Sequence, residues 1–152
     1  MQLAVYVGMV HAAEQTLADS FRQVGDGHAA ESDVAHMCAT LAGWSDDHVR
    51  RLQPVADRYG EMDVAEPERL HAEGLSETRE GPVGLLRDLQ DLYLLAALVQ
   101  SSWTVVLQAA QGVRDHELLE IVEHCESETD RQMTWLTTRI KQAAPQALLV
   151  AS

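Results

Sequence analysis

Apolar and polar positions recur along this chain with a helical period almost throughout, and no alternation of strand period persists. From about Gln2 to Val24 the apolar side chains are Leu3, Tyr6/Val7, Val10, Ala13, Leu17, Phe21 and Val24, one stripe of an amphipathic helix. "GDG" at 25–27 predicts a tight end to it. A second stripe, Val34, Met37, Leu41, Trp44, His48, Leu52 and Val55, predicts a helix over about 28–59, with Pro54 kinking or ending its last turn. A third helix, about 82–112, opens with Pro82 at its first position and carries Leu85, Leu89, Leu92, Ala96, Val99, Trp103, Val106 and Ala110. Asp115 is placed to N-cap a fourth, about 115–143, with Leu118, Ile121, Val122, Cys125, Met133, Leu136 and Ile140 on its core side.

The connections between these helices run short, long, short. Segment 60–81 is charged, marked by Gly and Pro, and reads as a crossover, with a short helix in "EPERLHAEG". A long crossover between two helical hairpins is the ferritin-like arrangement of a four-helix bundle. The expected fold is therefore all-α: one ferritin-like domain over 1–152, closed by an apolar tail, 145–152, that docks on its own bundle or on a neighbour. Long amphipathic helices of this kind commonly leave a face for a second copy, so a homodimer or larger homo-oligomer is expected.

At 152 residues, with 46% hydrophobic and 23% charged residues, the chain suits a globular protein whose sparse aromatics leave Ala, Leu and Val to fill the core. Its formal charge of −13 argues against nucleic acid and against an anionic membrane surface, both of which select Lys and Arg. The run "LYLLAALV" gives way to "QSS" too soon to span a bilayer. "MQLAVYVGMVHAAE" lacks the basic start of a secretion signal. Cys38 and Cys125 form no zinc or CxxC pattern and read as two free buried thiols, so a cytoplasmic location is expected.

Acids and imidazoles on inward stripes are the remaining chemistry. A dinuclear carboxylate centre in such a bundle takes one Glu from each of two helices and Glu-x-x-His from each of the other two. Glu14 lies among Val10, Leu17 and Phe21 on the first stripe, where an unpaired acid is costly. The second helix has "SDDH", with His48 inward and Ser45 where the Glu belongs. The fourth has "ESET", with Glu126 present and Thr129 where the His belongs. The third helix offers nothing: its inward seam has Ala96, Val99 and Trp103, with no acid. His124 and Glu128 fall on the shoulders of the fourth helix, an i, i+4 surface pair.

These segments resemble a known group. "VHAAEQTLADSFRQV", "GWSDDHVRRLQPVADRYG" and "EHCESETDRQMTWL" are similar to the first, second and last helices of the stress-associated ferritin-like bundle proteins. The resemblance implies Glu14, His48 and Glu126 as metal ligands, with iron or manganese as the metal. Ser45, Thr129 and the third helix depart from the pattern.

Two functions follow as expectations. The first is a non-enzymatic bundle with a degenerate metal site and no cofactor, acting by self-association or by binding a protein partner. The second is a metal-dependent redox or iron-handling protein with a reduced site at Glu14, His48 and Glu126. Asp33/His36, His11/Glu14 and His28/Glu31 also have ligand spacing but read as solvated surface pairs. Trp44, Trp103 and Trp135 read as core volume before they read as a pocket.

Overall fold

A computed structural model describes residues 2–60 and 73–150. Its regular elements over those residues are all helices: α1 Gln2–Gly27, α2 Ser32–Tyr59, α3 Gly81–Val113 and α4 His116–Pro145, then a short π-helical turn, Gln146–Val150. One apolar core runs through all four helices, with Leu17, Phe21, Leu41, Leu52, Leu89, Leu92, Trp103, Leu118 and Leu136 closed to solvent. The expected helix in 66–74 falls mostly on residues outside those described.

Cross-helix contacts give the helix directions. α1 meets α2 through His11 with Gln53 and Arg22 with Asp46, so the two run antiparallel. α2 meets α4 through Asp33 with Arg139, Ser45 with Gln132 and Arg58 with Asp115, again antiparallel. α3 runs antiparallel to α1, since Trp103 reaches Glu14 while Asp88 reaches His28. Gln100 to Asp130 ties α3 to α4 across their short link. α1 and α4 make no close backbone approach, nor do α2 and α3, so these pairs lie on the diagonals.

Several boundaries differ from those the sequence predicts. α1 continues through Gly25 and Gly27, and the turn falls at 28–31. A Cβ on Gly25 would sit 3.0 Å from the Cβ of Cys38, so this glycine lets α1 and α2 approach closely inside the helix. α2 starts at Ser32 rather than about 28, and it runs through Pro54 to end at Tyr59 as predicted. His28 is no surface pair with Glu31. It is buried, and its Nε2 lies 2.7 Å from Asp88, which also accepts from the Arg79 backbone and guanidinium. Residues 73–80 lie along α1, Gly74 beside Thr16 and Ser20 and Thr78 against Gly27. The tail turn packs on α4 and α3 and buries Ala147, while Leu148, Leu149 and Val150 stay exposed.

Candidate functional site

The inward stripes of α1 and α2 bring Glu14 and His48 into direct contact in the core. Both are fully buried. Glu14 Oε1 accepts from the Ser45 hydroxyl at 3.1 Å. Its Oε2 accepts from His48 Nδ1 and, at 3.3 Å, from the indole of Trp103 on α3. Gln132 of α4 donates to Ser45 Oγ and to the Leu41 carbonyl, both at 2.9 Å. One carboxylate is thus held by side chains from α2 and α3 and, through Ser45, from α4. Its burial is tolerable because hydrogen bonds satisfy both oxygens.

His48 Nε2 points the other way, to Glu128 Oε1 of α4 at 2.9 Å. Both ring nitrogens face carboxyl oxygens, an arrangement that favours the doubly protonated, charged ring. Burial alone would push the His48 pKa down. The bonds and charges of Glu14, then Glu128, outweigh it and raise the pKa above the usual imidazole value. His124 Nε2 lies 3.0 Å from the same Glu128 oxygen, but it is not aligned to hydrogen-bond it. The His48 and His124 rings meet edge-on with centroids 6.0 Å apart. Asp47 Oδ2 is 3.6 Å from His124 Nε2.

The three residues singled out from sequence part company here. Glu14 and His48 converge. Glu126 stands half-buried on α4 with its Oε2 enclosed and without a hydrogen-bond partner among the described residues. The α4 acid that reaches His48 is Glu128. The only sequence signal for it is the i, i+4 spacing of His124 and Glu128, which on its own reads as a surface pair.

A dinuclear carboxylate centre does not fit this donor set. Ser45 and Thr129 replace two of its ligands, Thr129 turning back to the Cys125 carbonyl at 2.7 Å. α3 supplies the Trp103 N–H where the centre would need a carboxylate. Both thiols are protonated at neutral pH, for burial pushes Cys38 up to about 12, and burial with the Glu14 charge pushes Cys125 up also. No protein-family model matches the chain, and no curated protein or solved structure matches it.

Proposed function

We propose that the chain is a ferritin-like four-helix bundle that acts without catalysis, by associating with a second copy through the outward face of α3. Its Glu14 cluster is then the structural remnant of a metal site. The ferritin-like topology is supported by the helix directions: α2 ends at Tyr59 beside Asp115, whereas α3 starts at Gly81 beside His28, at the other end of the bundle. Two free, buried thiols suit a reducing cytoplasm.

The observation that carries self-association is the surface of α3. From Leu92 to Val113 this helix has no charged side chain, in a chain of net charge −13. Val83, Leu94 and Val105 recur every three helical turns along one line, and they are 41%, 68% and 46% exposed. By length and composition α3 would also qualify as a membrane span, yet its other side is built into the core against α1 and α4. An apolar stripe on an otherwise acidic surface fits a self-complementary dimer interface.

Sedimentation of the full chain tests this. The wild type should sediment as a dimer at micromolar concentration, and Leu94→Glu/Val105→Glu as a monomer of unchanged helicity. A wild type that stays monomeric at every concentration would end the proposal. A reduced iron or manganese site at Glu14, His48 and Glu126 is the competing reading, and it requires Glu14 to release the donors that now saturate it. That reading predicts Fe²⁺ oxidation lost in Glu14→Ala, where we expect no Fe²⁺ oxidation above buffer even in the wild type.

A further inference from the structure

We propose that the α2–α4 flank binds one divalent transition-metal cation through Nε2 of His48, Nε2 of His124 and a carboxylate oxygen of Glu128. One potential ligand atom from each of these three residues lies within 4.8 Å of the other two. Glu128 Oε1 is already 2.9 Å from His48 Nε2 and 3.0 Å from His124 Nε2. A tetrahedral cation with bonds of about 2.0–2.1 Å holds its ligands roughly 3.3 Å apart, so small side-chain rotations complete the site.

Two further observations point to a ligand. The His124 Nε2 atom is closed to solvent and hydrogen-bonds nothing among the described residues, although it sits beside a carboxylate. A ring nitrogen placed there without a hydrogen bond is free to coordinate. Behind His48, Glu14 accepts from Nδ1. That is the arrangement of a metal-bound histidine, whose outer nitrogen is oriented by a carboxylate while the inner one faces the cation. The Glu14 cluster, which cannot itself hold a dinuclear centre, becomes the support of this site.

The chemistry selects the cation. Two imidazoles and one carboxylate favour zinc and its first-row neighbours over magnesium or calcium, which prefer oxygen ligands throughout. The cation takes the place of the proton between His48 Nε2 and Glu128, and that proton passes to solvent. Asp47 Oδ2 lies 3.6 Å from His124 Nε2, its carboxylate held by Arg50 and Arg51. The His124 side chain is 36% exposed, so the site lies at the edge of the bundle rather than in its core. The bound cation clips α2 to α4, and this site does not depend on self-association through α3.

The test is titration of Zn²⁺ into untagged, chelator-stripped full-length protein, followed by calorimetry and by the optical spectrum of a Co²⁺-substituted sample. The wild type should take one ion per chain and give the intense visible bands of four-coordinate Co²⁺. Partly exposed His124 tolerates truncation, so His124→Ala should keep the fold and lose the site. Glu14→Gln should retain one ion with affinity weakened by about 10–100-fold, as expected for an orienting residue. Absence of stoichiometric binding by the wild type overturns the proposal. So does equal affinity in folded His124→Ala.

Discussion

Glu14 gives the sharpest single-residue expectation. Removing it would leave a buried imidazolium without its first partner, a Ser45 hydroxyl and a Trp103 N–H without acceptors, and a cavity in the core. Breaking a buried ion pair from one side costs about 3–5 kcal/mol. Glu14→Ala should therefore lower the urea unfolding free energy by about that amount, and a loss under ~1 kcal/mol would show that the cluster does not hold the helices. Glu14 and His48 were legible in the sequence because each falls on an apolar stripe, where a polar residue needs a partner. The choice between Glu126 and Glu128 was not. At roughly 100° per residue they flank the Cys125–Thr129 seam on opposite shoulders. Asp130, on the Glu126 side, reaches Gln100 of α3, while Glu128 reaches His48 of α2. Periodicity shows which stripe is buried, but not which neighbour stands at each shoulder, because that depends on how the helices are arranged around the axis.

The helices themselves were readable from their stripes, and their ends less so. Gly25 and Gly27 signal a turn by composition but lie inside α1, their lack of a side chain serving close approach to Cys38 and Thr78. Such a role is invisible without the partner. Gly84, in the first turn of α3, is the same case. A Cβ there would come within 2.9 Å of the Arg79 backbone carbon. Gly84→Ala should destabilise by about 1–3 kcal/mol through overpacking, although alanine is the better helix former. A thermal melt at or above that of the wild type would refute the clash. Asp115 is a cap that the sequence marked correctly. It accepts from Leu118 N–H at 3.1 Å, and from Tyr59 and Arg58 at 2.7 Å each. Burial acts to raise its pKa, but these bonds outweigh it and hold the carboxyl below the usual range. A pKa lower in the folded than in the unfolded chain stabilises above the unfolded value of about 3.9, and the contribution fades as pH falls through the folded value. Asparagine caps as well as aspartate but carries no charge. Wild type should thus exceed Asp115→Asn in urea midpoint near neutral pH, and the gap should close in strong acid. A gap that is the same at both would leave no role for the charge.

At the scale of the whole molecule, charge and apolar surface oppose each other. Each chain carries a formal charge of −13, so two copies repel, and a face without charges is where they meet at least cost. α3 from Leu92 to Val113 is such a face, and the exposed Leu148, Leu149 and Val150 extend apolar surface at the tail. Repulsion between like-charged chains acts over the Debye length, about 30 Å at 0.01 M salt and about 10 Å at 0.1 M. An interface centred on the charge-free stretch around Leu94 and Val105 has no ion pairs of its own for salt to weaken. Added salt should therefore tighten the dimer, with the dissociation constant from sedimentation equilibrium falling as sodium chloride rises across that range. The Leu94→Glu/Val105→Glu chain should stay monomeric throughout. An interface of crossed ion pairs would give the opposite slope, and a dissociation constant that rises with salt would move the contact from α3 to a charged face.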